Sequence, residues 1–563
     1  MIKDIQQIKH FKYYFFGVWF ILGLIQASVT ELIDDETYYW VYAQNIDWGH
    51  FHQPPMVALW IKIGYSIFEN ELGVRLVFLL ANMGVLVLMD RMIEQKNDVL
   101  FATIMSSFFL MHIAGFVAVP DGPFVFFTAV FLYLTQQYLK KDSWQLMVAL
   151  GITVACLMYS KYHSILIIFF AIIANLQLFK RASFYGVGIL ALILFIPHLY
   201  WQWENDFISV MFHFFERTKV QWHIGLTLEF FGGTLLVFGP ILSILLLWMG
   251  FTYKTEDDFE RTLKFVMVGV ISFFFIMSLR GRVEANWTVS AIIPCVILVH
   301  KSLMTHFPNR IKWIYYSLPI SLLFAFAARF VIVYEVLPDD EIFGKIYKEY
   351  HGWEEWVEQI ESIAGDHPVF FVGSYQKPSR YQWHAGKVGH GFSPVVAPRT
   401  QYDLYDYELQ YQGDTVLYAI QYFEGKMDSI MTNRGKVWYR LVPNYRSYSY
   451  IDIHTPNDER TFYAAPNETI DIPITMTSEV ENVALDVNPK LLSYFGYRIF
   501  QYGWTVDIGY TNDTVKPYFD NQKPYTFKVK APNKKGKYQL NLNIQTGDFY
   551  PLHNSPRYTL IVR

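Results

Sequence analysis

Long apolar runs fill residues 12 to 334 of this chain and then stop. A helix needs about 20 apolar residues to cross a bilayer. On that measure the candidate spans are Phe11–Val29, Gly73–Met89, Val99–Val117, Phe124–Leu139, Trp144–Tyr159, Ser164–Phe179, Phe184–Tyr200, Leu228–Trp248, Leu263–Leu279, Thr288–Leu303 and Ile314–Tyr334. The stretch from Val99 to Leu139 would read as one helix, but Pro120-Asp121-Gly122-Pro123 breaks it. Lys161 interrupts the run from Trp144 to Phe179 in the same way. The reading is an α-helical polytopic membrane protein with about eleven transmembrane helices.

Composition supports this. Only 17% of residues are charged, where a soluble protein carries about 25%. A net charge of −4 with no basic run excludes a nucleic-acid partner. Cys156 and Cys295 both lie in apolar runs, so there is no disulfide framework. Lysine and arginine are concentrated in alternate loops, including Lys9, Lys12, Lys140, Lys141, Lys180 and Arg181. The positive-inside rule then predicts a cytoplasmic N-terminus. An odd number of spans puts everything after Tyr334 outside. The expected place is the inner (plasma) membrane, with the C-terminal part periplasmic or extracellular.

From about residue 335 the composition becomes that of a soluble region. Residues 335–445 read as an α/β domain, with helical periodicity over Gly352–Ile363 and a short buried strand at Pro368–Val372. Residues 446–563 read as a small β-sandwich, because short strands alternate with Pro, Asn, Asp and Gly. The transmembrane domain occupies 1–334.

Polar residues that the membrane half keeps are concentrated on the outer side. Glu31, Asp34, Asp35 and Glu36 leave the first span together, followed by Tyr38 and Tyr39, then by His50, Phe51, His52, Gln53, Pro54 and Pro55. Carboxylates beside a bilayer are expensive unless they face a cavity or a partner. Asp121 sits in a turn that any Asp-Gly-Pro sequence would make. Lys161 and Tyr162 occupy a turn on the translocated side, and Arg280 and Arg282 end an outer helix. Arg suits bidentate phosphate recognition, although such cations also snorkel at interfaces. His50 and His52, with Glu36, are candidate ligands for a divalent metal ion, at a spacing that matches no structural zinc motif. A base facing anion-stabilising cations could move a group from a phosphate to a hydroxyl. The same residues could serve a transporter or flippase of lipid-linked sugars, and an anchored binding protein is a third class.

The ordered set of motifs favours the first class. Asp35-Glu36-Thr37-Tyr38-Tyr39-Trp40 followed by Phe51-His52-Gln53-Pro54-Pro55 resembles the first outer loop of GT-C-fold membrane glycosyltransferases. The likeness is to the bacterial branch related to dolichyl-phosphate-mannose–protein mannosyltransferases and lipid A aminoarabinose transferases. Gly73-Val74-Arg75-Leu76, Pro120-Asp121-Gly122-Pro123, Ser160-Lys161-Tyr162, Asn286-Trp287 and Arg399-Thr400-Gln401-Tyr402-Asp403 are similar to later family segments. The resemblance covers roughly residues 30 to 425 and leaves the strand-rich tail outside it.

It implies an inverting transfer from a polyprenyl-phosphate sugar to an acceptor hydroxyl on a lipid, glycan or protein. By that resemblance Asp35 is the general base and Glu36 supports the same site. Tyr38, Tyr39, His52, Gln53, Arg75, Asp121, Lys161, Tyr162, Arg280 and Arg282 would line the substrate. Gln53 departs from the family, which often carries a cation at that point.

Overall fold

The computed structural model describes residues 10–213, 222–336, 344–421, 427–478, 480, 483–501, 504–547 and 549–563, without the side chains of 109, 112, 345 and 346. Several long helices begin at side-chain caps. Asn70 accepts from the Gly73 N–H, Asn97 from Leu100, Ser143 from Leu146 and Asp257 from Glu260. Each cap satisfies an N–H that the first turn leaves without an intrahelical partner. The apolar sequence that follows each cap then forms helix.

Among the described residues, six helices are long and apolar enough to cross a membrane: Phe11–Val29, Glu71–Met92, Ala182–Glu204, Asp258–Ser278, Ala285–Thr305 and Pro308–Val333. Asp121–Lys140 adds a helix of 20 residues, and Trp144–Ser160 and Ser164–Ala174 are shorter. The breaks expected at Pro120 and Lys161 are where helices begin and end.

The expected span Ser164–Phe179 passes at Asn175 from α-helix to a 3-10 turn, Leu176–Lys180, and two further expected spans are discontinuous. Val99–Val117 is two helices, Asp98–Ser107 and Phe109–Ile113, joined at Phe108. Leu228–Trp248 is also two, Ile224–Val237 and Ser243–Thr252, separated at Gly239-Pro240. The breaks meet. Gly239 has φ +96°, and a Cβ there would lie 2.2 Å from the Ser107 carbonyl oxygen. The Phe108 and Phe238 rings pack edge to face beside it. Pro240 has no N–H to continue the ladder, and only glycine fits both the dihedral and the close approach.

The expected outer loop after the first span is also largely helical. It forms Asp34–Gln44 and Met56–Tyr65, with an extended stretch between them. The main apolar core of this half runs from Trp19 to Ile314, and a smaller one gathers Ala27, Leu79 and Phe116.

The chain divides into two compact units, Met1–His351 and Gly352–Arg563. In the second, strands β1 (Val369–Val372), β2 (Gly389–Phe392), β3 (Val416–Ile420), β4 (Asp428–Thr432) and β5 (Gly435–Val442) form a sheet in the order β2-β1-β3-β5-β4. β1 is parallel to both neighbours, and β5 is antiparallel to β3 and β4. Helix Trp353–Ala364 buries Trp353, Trp356, Val357 and Ile360 in a core shared with β1 and β3.

The tail forms β6 (Ile451–His454), β7 (Thr461–Ala464), β8 (Thr469–Ser478), β9 (Ser493–Gln501), β10 (Trp504–Thr514), β11 (Tyr525–Lys530), β12 (Gly536–Thr546) and β13 (Tyr558–Val562). They build a five-stranded sheet, β10-β9-β12-β13-β7, and a three-stranded one, β11-β8-β6. Alternate residues of β8 and β11 are buried, including Ile472, Ile474, Phe527 and Val529, as expected when one face of a strand packs on a second sheet.

Candidate active site

Helix Asp34–Gln44 opens with three carboxylates in its first turn, Asp34, Asp35 and Glu36. The partial positive charge at a helix N-terminus favours them there. Their environments differ. Glu36 is fully buried and grips Arg75, which donates from Nε at 2.7 Å and from Nη2 at 2.5 Å. The same carboxylate accepts from the Ala118 N–H at 2.8 Å and from Ile33 at 3.0 Å. Arg75 spends its remaining donors on the carbonyls of Ala27, Thr30 and Glu31 and on the Thr30 hydroxyl.

Glu36 was expected to support the catalytic site or a metal, and Arg75 to line the substrate. Instead they are bonded to one another and to the chain, and neither has surface to offer. The pair ties the end of the first span to Glu71–Met92 and to the backbone at Ala118. Asp35, one residue earlier, is partly exposed in the turn that this pair holds.

Tyr38 and Tyr39 lie on the same helix and are buried. Tyr38 Oη lies 3.2 Å from His52 Nδ1, with Tyr42 Oη at 3.4 Å from the same nitrogen. His52 and Gln53 are partly exposed. His50 is buried against the Tyr42 ring, and neither of its ring nitrogens has a hydrogen-bond partner among the described residues. Burial, with a smaller contribution from His198, pushes its pKa down to about 3, so the ring is neutral.

The metal site expected from Glu36, His50 and His52 does not assemble. Both Glu36 oxygens are taken. Among the described residues no group of three His, Cys, Asp or Glu side chains is set to hold an ion.

A second cluster forms around Asp121, the first residue of its helix. Lys161 is 5% exposed and donates to Asp121 Oδ1 at 2.8 Å. Asn286 donates to Oδ2 at 3.2 Å. The Lys161 turn, the Asp121 turn and the Asn286 segment thus converge on one carboxylate. Arg282 instead forms surface ion pairs, at 3.0 Å to Glu284 and 3.5 Å to Glu229. Arg280 is exposed and forms no ion pair with a described residue.

Tyr162 belongs to a network that the sequence reading did not anticipate. Its hydroxyl donates to His198 Nε2 at 3.2 Å and accepts from Gln202 Nε2 at 2.9 Å. Ser209, His213 and Asn286 were also unassigned. His198 and Gln202 were unassigned as well, although a signal for them was present: they are polar residues four apart near the end of an apolar helix, and such residues usually face a partner.

The family model described as dolichyl-phosphate-mannose-protein mannosyltransferase matches residues 52–201. A lipid A galacturonosyltransferase, RgtD from Rhizobium johnstonii, is 26% identical over 323 residues. That match covers 53% of this chain and spans 66% of the relative's length. Among solved structures, apo ArnT from Cupriavidus metallidurans superposes with a TM-score of 0.57 at 13% identity, covering 76% of this chain and 97% of ArnT. The chain is a multi-pass membrane protein with the GT-C fold, the fold of the glycosyltransferases it resembles.

Proposed function

We propose that the chain is a membrane glycosyltransferase that moves a sugar from a polyprenyl-phosphate donor to a hydroxyl of a glycolipid on the outer face of the inner membrane. The name of the galacturonosyltransferase relative supports a lipid acceptor. In the step proposed, Asp35 takes the acceptor's hydroxyl proton as its oxygen attacks the anomeric carbon. The bond from that carbon to the phosphate oxygen breaks, and polyprenyl phosphate leaves with the electron pair. One displacement inverts the anomeric centre. Arg280, with Lys161 and Arg282 once they turn from their carboxylate partners, meets the charge of the departing phosphate. Glu36 and Arg75 take a positional role.

The observation that carries this reading is the contrast within one helical turn. Glu36 is locked to Arg75, and its neighbour Asp35 is held partly exposed. The test supplies membranes containing the protein with polyprenyl-phosphate sugars of several kinds, including a uronic acid, and follows transfer to glycolipid. Removing a general base costs roughly 10²–10⁴-fold, so Asp35→Asn should fall by that much. Full turnover in a folded Asp35→Asn protein refutes the assignment.

The paired helix breaks at Phe108 and Gly239 are the feature that favours a flippase instead, because broken helices mark transport sites. Reconstituted vesicles that translocate lipid-linked sugar without transferring it would support that second reading.

A further inference from the structure

The extended stretch between helices Asp34–Gln44 and Met56–Tyr65 carries His52 and Gln53, yet few of its own backbone groups pair within it. The His50 N–H bonds the Gln53 carbonyl at 3.2 Å. Three of the stretch's carbonyls are reached from one distant segment, residues 198–213. His198 Nδ1 lies 2.7 Å from the Trp48 carbonyl oxygen. Ser209 Oγ donates to the His50 carbonyl at 3.0 Å. His213 Nε2 lies 2.7 Å from the His52 carbonyl oxygen.

Positions 48, 50 and 52 alternate, so the stretch is held along one edge as a strand would be, with side chains in place of a neighbouring backbone. Trp201 reinforces the dock. Its indole N–H donates to Asp47 at 2.7 Å, and its ring covers Gly49 so closely that a Cβ there would lie 2.2 Å away.

Carbonyls only accept, so each bonded imidazole nitrogen must carry the proton. For His198 this leaves Nε2 as an acceptor, and the Tyr162 hydroxyl donates to it. Gln202 Nε2 donates both to Tyr162 and to Ser209 Oγ, each at 2.9 Å. The bonds therefore run from the Trp48 carbonyl through His198, Tyr162, Gln202 and Ser209 to the His50 carbonyl. Tyr162 directly follows Lys161. The chain of bonds links the His52 stretch, which packs on the Asp35 helix through Tyr38, to the turn that bears Lys161.

We propose that residues 198–213 are the positioning element of this site, with His198, Ser209 and His213 holding the His52 stretch and Tyr162 coupling it to Lys161. This inference rests on the proposed glycosyl transfer. It reassigns Tyr162 from substrate contact to positioning, since its hydroxyl is used within the protein.

The test uses the full chain in lipid nanodiscs. His198→Ala and His213→Ala remove the ties. His198→Asn keeps a donor at the Nδ1 position, and His213→Gln keeps one at Nε2. A misplacement of about 1 Å can cost 10²-fold in rate, so kcat should fall roughly 10- to 100-fold in the alanine variants with donor KM little changed. The amide variants should recover most of that loss. Backbone deuterium uptake over residues 47–53 should rise in the alanine variants and stay at the wild-type level in the amide variants.

Unchanged kcat and unchanged uptake in folded alanine variants would overturn the proposal. So would amide variants as impaired as the alanine ones, because the imidazole would then act by proton transfer and not by position. If His198→Ala does not fold, Ser209→Ala, which removes one hydroxyl, carries the same test. If the wild type transfers no sugar from any donor, the glycosyltransferase reading fails, and the uptake experiment still decides whether this segment holds the stretch.

Discussion

Replacing one member of the Glu36–Arg75 pair should destabilise the membrane unit severely. The side chains are 0% and 2% exposed. Taking one charge from a buried pair costs about 3–5 kcal/mol, because the other is left in low dielectric without compensation. Arg75→Ala also leaves the Thr30 and Glu31 carbonyls without their donors. Domains of 150–250 residues lose about 2–4 °C in Tm per kcal/mol, so the expected fall is on the order of 10 °C.

Arg75→Lys should recover little, since an ammonium cannot reproduce the fork that meets both Glu36 oxygens. A thiol-reactive fluorophore provides the assay. Cys295 is buried and Cys156 half-buried, so labelling reports unfolding. Pairing Glu36→Gln with Arg75→Met should cost less than the sum of the single changes, because the second change removes the stranded charge. A Tm shift below about 2 °C for Arg75→Ala, or strict additivity of the pair, would refute the reasoning.

Three further outcomes are expected. Lys161→Ala should weaken binding of a polyprenyl-phosphate sugar, and Asp121→Asn should also disturb it by releasing Lys161; unchanged donor affinity in both, measured by calorimetry, removes the cluster from the site. Gly239→Ala should cost about 1–3 kcal/mol in left-handed backbone strain alone, plus the clash with the Ser107 carbonyl, and so lower Tm in the same labelling assay. In the second unit, burial beside Arg399 and Arg557 pushes the His553 pKa down from 6.5 to about 3. Its contribution to stability is therefore complete above pH 6.5 and is lost as pH falls toward 3. His553→Gln, which keeps a donor for the Ala397 carbonyl, should flatten part of that acid loss in chemical denaturation of the full chain. Asp403, raised by burial to about 6, acts with the opposite sign and adds stability as pH falls through 6.

The membrane architecture was legible because hydropathy is a local property. Runs such as Phe11–Val29 and Asp258–Ser278 announce themselves without reference to any partner. Breaks at Pro120 and Lys161 were equally visible, since a proline or a charge interrupts a run by its own chemistry. The break at Phe108 was not. No residue there forbids helix, and the helix ends where Ser107 meets Gly239 from a segment far along the chain.

The functional residues divide in the same way. The sequence alone marked the turns that hold polar groups beside the apolar spans, because carboxylates, imidazoles and cations beside a bilayer are costly wherever they occur. It could not say which of these groups are consumed internally. Asp35 and Glu36 are adjacent and chemically alike, yet Glu36 is buried on an arginine 39 positions away while Asp35 is partly exposed. Lys161 finds Asp121 across 40 positions, and His198 finds the Trp48 carbonyl across 150. Charge and hydropathy belong to single residues and can be read along the chain. Pairing depends on distance in three dimensions, and only the tertiary structure decided which carboxylate is buried on an arginine, which is partly exposed, and which side chains reach the stretch that carries His52.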